Sequence, residues 1–317
     1  MKKTLLIMAA CVVSIAMFAT DLTGKRIYIN PGHGSWGPND RPNATIPYPN
    51  LASTGMPDTC GFYETNTNLW KCLELRDRLE AAGAFVMMSH TQGGPWPYEK
   101  VDGEYPDYTW EAYQQLPDFE KYNRPLLEIA DEAEANNMDY FISVHSNAAT
   151  DGNTVNYLSY FYRGNNAGEH VVPGAIEMCK ASWYQAFECR SMDGLEPTNY
   201  DTRDPETSKH ILADIDFYHS SYDATLPSSG KTYTGYLGVL HHGVPGFLVE
   251  GYFHTYQPGR HRALNPDYCK QEGIRYYRGI VDYFKADTEA TGYILGTVKD
   301  EHEPLVHELY KYAPNTN

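Results

Sequence analysis

Short runs of β-branched and aromatic residues alternate along this chain with long segments of helical period, and that alternation limits the fold more than any other feature. KRIYINPGHG opens with a strand pattern over Arg26 to Asn30 and empties through a Pro-Gly turn into a loop carrying His33. From Glu64 to Ala82 the period changes. Leu69, Cys72 or Leu73, Arg76 and Leu79 fall three or four apart, and Gly83 ends the run as a C-cap glycine would. AFVMMS is a second strand, Arg124 to Asn136 a helix, and DYFISV a third strand that ends on His145. Thr154 to Tyr162 forms a fourth strand and Gly168 to Glu188 a helix. TGYLGVL and PGFLVE are late strands, and Pro266 to Asp287 is the last long helix.

This pattern predicts an α/β fold. Its core is a mostly parallel, mixed central sheet of about six strands with helices on both faces. Residues 22–288 then form the main domain. Pro-rich, aromatic residues 91–120 and turn-rich residues 191–232 form two inserted loop regions, the second with short helical pieces. Residues 289–317 have β-like character and are too short to build a stable core alone.

The first residues are set apart from the fold. Lys2 and Lys3 precede an apolar run from Leu5 to Ala19, which is short for a membrane span of about 20 residues. A basic head, an apolar body and a small residue at Ala19 are the parts of a signal peptide covering residues 1–20. The expectation is export to the periplasm or the medium, and Cys11 would also permit lipid anchoring to the envelope. No stretch of the remaining chain is long and apolar enough to be a transmembrane helix.

Charge narrows the partners. The chain carries 41 Asp plus Glu against 25 scattered Lys plus Arg, so it lacks the concentrated positive charge that nucleic acid demands. Tyrosine is abundant, 27 of 317 residues, and the loop aromatics Trp96, Tyr98, Tyr105, Tyr108 and Trp110 could stack on sugar or pack as a satellite core. Past the leader the cysteines are Cys60, Cys72, Cys179, Cys189 and Cys269, an odd set with no zinc-knuckle spacing.

The polar chemistry gathers where apolar strands end. PGHG and SVHSNA deliver His33 and His145, Glu64 stands at the mouth of a helix, and Glu250 follows the apolar GFLV. Open α/β sheets bind ligands at the carboxyl edge of their strands. Two histidines, one carboxylate and an open position make a catalytic zinc set. Because these residues lie far apart in sequence, spacing alone leaves structural histidines and an ordinary N-terminal helix acid as alternatives. For Glu250, a salt-bridged structural role is the alternative to acid–base chemistry.

Four blocks narrow the choice. IYINPGHG, GFYETNTNLWKCLELRDRLEAAGAFV, FISVHSNA and VPGFLVEGYF resemble, in order and spacing, the zinc-dependent N-acetylmuramoyl-L-alanine amidases of the type 3 amidase family, over about residues 24 to 285. The resemblance implies Zn2+ held by His33, Glu64 and His145, with Glu250 as the catalytic acid–base residue. It also implies peptidoglycan or muropeptides as substrate. The alternatives are a zinc amidase or peptidase acting on another cell-wall-derived amide, or a non-catalytic peptidoglycan-binding protein. There are departures from the family pattern at Asn30, Ser35 and Ser146, and the family's usual ending is replaced by GYFHTY at 251–256. His241 and His242 stand near the place of an upstream arginine and could assist an oxyanion.

Overall fold

The computed structural model describes residues 20–33, 62–91, 124–148, 158–188, 210–254 and 263–286, with short strand pieces at 45–46, 50–51 and 57–58. The leader, the segment 91–120 beyond its first residue, the loop aromatics and the tail from 289 lie outside the described residues.

Among the described residues, eight longer strands and five helices follow in chain order. The strands are β1 (Arg26–Pro31), β2 (Phe85–Met88), β3 (Tyr140–Asn147), β4 (Ser159–Tyr162), β5 (Ile211–Ala213), β6 (Tyr222–Thr225), β7 (Thr232–Gly235) and β8 (Gly246–Phe253). The helices are α1 (Glu64–Ala81), α2 (Leu126–Ala135), α3 (Ala175–Glu188), α4 (Asp214–Tyr218) and α5 (Pro266–Phe284). Six strands form one sheet in the order β2-β1-β3-β8-β4-β5. The first four run parallel, β4 is antiparallel to β8, and β5 is parallel to β4. The mixed six-stranded sheet is the one the alternating pattern predicts.

Period-2 alternation splits the strands between two cores. Ile27, Ile29, Tyr140, Ile142, Val144, Phe247 and Val249 pack with residues of α1, α3 and α5, among them Leu75, Leu79, Met178 and Ile280. Tyr28, Phe141, Phe161 and Leu248, the alternate positions, face Ile129 and Ala133 of α2. Burying each large apolar side chain contributes about 1.5–3 kcal/mol, so a one-residue slip in any of these strands would expose its core face.

Helix ends follow their local chemistry. Gly83 takes φ +87° after α1, and the Ala84 N–H donates to the Leu79 carbonyl at 3.0 Å, closing a Schellman turn. Asn265 caps α5 through its side chain, which accepts from the Asp267 N–H, and Pro266 fills the first helical position. Cys72, Cys179 and Cys269 are free and buried.

Three expectations change. TGYLGVL does not enter the main sheet: Thr232–Gly235 pairs antiparallel with β6, and Gly238–Leu240 forms a 3-10 turn. Its glycines explain the break, since a Cβ at Gly235 would lie 2.8 Å from the Arg163 side chain and one at Gly238 2.6 Å from the Tyr222 hydroxyl. The segment 191–232 contributes β5, the edge strand of the main sheet, which at three residues is too short to carry a readable period. His145 and Glu250 lie within their strands rather than just beyond them. Among the described residues, no helix is long and apolar enough to cross a membrane.

Candidate metal centre

β1, β3 and β8 run parallel and side by side, so their carboxyl ends meet along one edge of the sheet, and α1 begins above it. At the end of β1 the Gly32 N–H donates to the Val144 carbonyl at 2.8 Å, which ties the PGHG turn to β3. A Cβ at Gly32 would lie 2.4–2.6 Å from three atoms of the His145 ring, so only glycine lets that imidazole rest against the turn. The next residue, His33, sits at φ +70°, a left-handed conformation that costs a non-glycine residue on the order of 1–3 kcal/mol.

Glu64 is the first residue of α1, where the unpaired N–H groups of a helix favour a carboxylate. Its side chain is 2% exposed and lies between the two imidazoles. His33 Nε2 is 3.2 Å from Oε2, and His145 Nδ1 is 3.3 Å from Oε1. Oε1 also accepts from the Ser146 backbone N–H at 2.8 Å and from Asn68 Nδ2 at 3.2 Å. One ligand atom from each of His33, Glu64 and His145 falls within 4.8 Å of the others. The structure therefore brings together three residues spread along the sequence from position 33 to position 145.

The electrostatics favour an ionised Glu64 carboxylate beside a neutral His145 ring. Burial pushes the Glu64 pKa up, but the nearby His33 and the hydrogen bonds from His145 and His33 outweigh it and hold the group well below the usual carboxylate range. Burial lowers the pKa of His145 against the opposing pull of Glu64. Neutral imidazoles and a charged carboxylate are the protonation states in which all three can donate lone pairs to a cation.

Glu250 stands beside this group. It is the register partner of His145 across the parallel β8–β3 pair, so the two side chains leave the sheet on the same face about 4.8 Å apart at the backbone. It is partly exposed, whereas the apolar residues of β8 that precede it are buried.

Two of the departures now have neighbours, whereas Ser35 lies outside the described residues. Asn30 is buried in β1, its amide donating to Ser143 Oγ at 2.8 Å and its oxygen accepting from Ser89 Oγ at 2.7 Å. An amide suits that place because it must both donate and accept. Ser146 Oγ lies 2.9 Å from His254 Nδ1, and the same nitrogen is 3.9 Å from Glu64 Oε2. Sequence reasoning noted the GYFHTY ending but missed His254 as a neighbour of the carboxylate, because only the β8–β3 register reveals it.

His241 and His242 are a correction. They precede β8, at its amino end, where the His242 ring packs tilted against Phe141 at 4.4 Å between centroids and its Nδ1 lies 3.0 Å from the Val244 carbonyl. Phe141 is four strand residues before His145, about 13 Å away along β3. Neither histidine can assist at the edge where His33, Glu64 and His145 meet.

Residues 27–282 match the family model described as N-acetylmuramoyl-L-alanine amidase. Among solved structures, the chain is similar to an N-acetylmuramoyl-L-alanine amidase from Clostridium difficile 630. The identity is 18%, the match covers 82% of this chain and 97% of that one, and the TM-score is 0.50. It is also similar to the N-acetylmuramyl-L-alanine amidase Ami1 from Mycobacterium smegmatis, at 14% identity over 84% of this chain and all 100% of that one, with a TM-score of 0.51. Apo Ami1 from Mycobacterium abscessus gives 14% identity, 83% and 100% coverage, and a TM-score of 0.51. At these identities the likeness is one of fold. No curated protein matches by sequence.

Proposed function

Because the chain belongs to the N-acetylmuramoyl-L-alanine amidase family, we propose that it hydrolyses the amide between the lactyl group of N-acetylmuramic acid and L-alanine, using zinc held by His33, Glu64 and His145. The observation that carries the metal assignment is the meeting of three ligand atoms, one each from His33, Glu64 and His145, within 4.8 Å of one another. Ligand atoms around a tetrahedral zinc with bonds of about 2.1 Å lie about 3.4 Å apart, and His33 Nε2 approaches Glu64 Oε2 at 3.2 Å. A charge this deeply buried also needs a cation or several donors to be stable.

The chemistry a bound zinc supplies is a lowered pKa for water and a polarised amide carbonyl. The remaining steps belong to the chain. Glu250 accepts a proton from the attacking water at its carboxylate and returns it to the departing L-alanine amine, acting as base and then as acid. Its place beside His145 on the neighbouring strand supports that role. Gly32 and the Ser146 N–H hold His145 and Glu64 before substrate arrives, so little reorganisation is needed on binding. The basic and then apolar residues 1–20 support export to the envelope, where peptidoglycan lies, as a free protein or one tethered through Cys11.

A second reading keeps the metal but assigns another cell-wall-derived amide. The unusual His254 and Ser146 beside Glu64 favour it. One experiment tests both. Intact sacculi and purified muropeptides are incubated with zinc-loaded protein, with its Glu250→Ala variant, and with chelated protein, and the products are read by mass spectrometry. Stem peptides beginning with L-alanine, released only by the intact zinc protein, are the expected outcome. Glu250→Ala should lose about 100-fold or more of the rate while keeping its metal. A near-normal rate in that variant would overturn the acid–base assignment, and no release from either substrate would favour the second reading.

A further inference from the structure

Two of the departures from the family pattern touch each other and the same carboxylate. Ser146 belongs to β3, directly after His145, and its backbone N–H holds Glu64 Oε1 at 2.8 Å. Its hydroxyl lies 2.9 Å from His254 Nδ1. That nitrogen in turn faces the other carboxylate oxygen, Oε2, at 3.9 Å. The contacts form a closed loop that leaves Glu64 by one oxygen and returns to it by the other.

We propose that Ser146 and His254 form a positioning pair that fixes the rotation of the Glu64 carboxylate and so presents Oε2 to the metal beside His33. The proposal rests on the zinc reading given above.

The loop is rigid on both sides. His254 is 2% exposed, and its backbone N–H donates to the Asn147 carbonyl at 2.9 Å, which pins the end of β8 to the end of β3. Ser146 is 5% exposed. Two oxygens of an unrestrained carboxylate exchange by rotation about one bond. Here Oε1 is held by the Ser146 and Asn68 donors, and Oε2 faces the buried His254 ring at 3.9 Å. The negative charge also selects the imidazole tautomer. A lone pair on Nδ1 would face the carboxylate, so the favoured form carries its proton on Nδ1 and donates it to the Ser146 hydroxyl. The imidazole then turns its N–H, and no lone pair, to the side shared by Ser146 and Glu64. Groups that orient metal ligands in this way typically change metal affinity or activity about 10–100-fold when removed.

The test uses His254→Leu, His254→Asn, Ser146→Ala and the His254→Leu/Ser146→Ala double variant in the full folded protein. Zinc affinity is measured by competition with a chromophoric chelator, and ligand geometry by the visible absorption of the cobalt-substituted protein. Thermal unfolding of each metal-free protein reports folding separately. His254→Leu should weaken zinc binding about 10–100-fold and alter the cobalt spectrum while the metal-free melting temperature stays near wild type. Ser146→Ala should do the same. The double variant should be no worse than either single change, because one loop cannot be broken twice. His254→Asn, whose amide N–H occupies roughly the place of Nδ1–H, should restore most of the affinity.

Wild-type affinity and an unchanged cobalt spectrum in His254→Leu or in Ser146→Ala would overturn the positioning role and leave the zinc reading intact. Additive losses in the double variant would overturn it as well. Were the wild-type protein itself to bind no zinc, or His33→Ala to bind it normally, the zinc reading would fall and the proposal with it. Should His254→Leu not fold, Ser146→Ala and His254→Asn decide the matter alone.

Discussion

Lys71 and Glu272 form an ion pair at 2.9 Å with side chains 1% and 2% exposed, and replacing Lys71 by methionine should be among the most damaging single changes outside the site. The pair joins α1, whose first residue is Glu64, to α5. It lies under the strand that carries Glu250, since a Cβ on Gly251 would come within 3.0 Å of Glu272 Oε1 and 3.4 Å of Lys71 Nζ. Burial alone would lower the Lys71 pKa, but the Glu272 carboxylate outweighs it and raises the ammonium above its ordinary range. Lys71→Met removes that ammonium and leaves Glu272 with the Tyr276 hydroxyl, which donates at 3.1 Å. Removing one partner of a buried pair costs about 3–5 kcal/mol, against a total stability of about 5–15 kcal/mol. The double variant Lys71→Met/Glu272→Met removes both charges at similar volume and should return to within about 1 kcal/mol of wild type, or exceed it. Urea unfolding read at its midpoint, with unchanged m, measures each term. The raised pKa adds a pH signature. Stabilisation from Lys71 is complete below its unfolded value of 10.5 and is lost as pH rises through the higher folded value, a limb the double variant should lack. A single-variant cost under about 1 kcal/mol, or a double variant as unstable as the single, would refute this reasoning.

Two more changes test other parts of the frame. Gly32→Ala sets a methyl 2.4–2.6 Å from the His145 ring, so the ring must move by about 1 Å to reach ordinary contact; zinc titration should show at least a tenfold loss, and unchanged affinity would show that the turn can yield. His242 and His90 concern acid stability. Burial is the main cause that pushes them down to about 3 and about 4, with Arg163 and Arg124 adding to it. Below their unfolded value of 6.5 the unfolded chain binds protons that the folded chain refuses. Their contribution is therefore full above about pH 6.5 and is lost as pH falls toward 4 and then 3. Urea midpoints taken from pH 7 down to about 4.5 should fall, and His242→Phe should flatten that fall without altering the midpoint slope at neutral pH.

What was legible in sequence follows from how far each signal reaches. Strands and helices of six residues or more repeat their period often enough to be seen, so β1, β3, β8, α1 and α5 were readable to within a few residues. β5 has three residues and lies inside a turn-rich stretch, so its membership of the sheet depends on pairing with β4. TGYLGVL has the right composition for a strand, but its glycines serve close approaches to Arg163 and Tyr222 instead. His33, Glu64, His145 and Glu250 stood out because each marks a change from apolar strand to polar loop or the start of a helix. His254 lacked that mark. Its neighbourhood comes from the β8–β3 register and from a hydrogen bond to a serine 108 positions away. No pattern in the sequence sets Lys71 and Glu272 apart from other helix charges, and only the α1–α5 packing buries them.

That packing bears on the site because Glu64 belongs to a helix while its partner histidines belong to the sheet. A Cβ on Gly273 of α5 would lie 2.5 Å from the Lys71 carbonyl, so the two helix backbones nearly touch at the level of the buried ion pair. Less than two helical turns separate Lys71 from Glu64, a rise of about 10 Å. A shift of α1 against α5 is therefore carried along a stiff rod to the carboxylate, whereas His33 and His145 stay with β1 and β3. The distances of 3.2 and 3.3 Å at Glu64 thus measure how α1 is seated on the sheet. The Ser146 N–H and the His254 ring oppose such a shift from the sheet side, and the Lys71–Glu272 pair opposes it from the helix side. The placement of Glu64 between His33 and His145 is set where these two restraints meet.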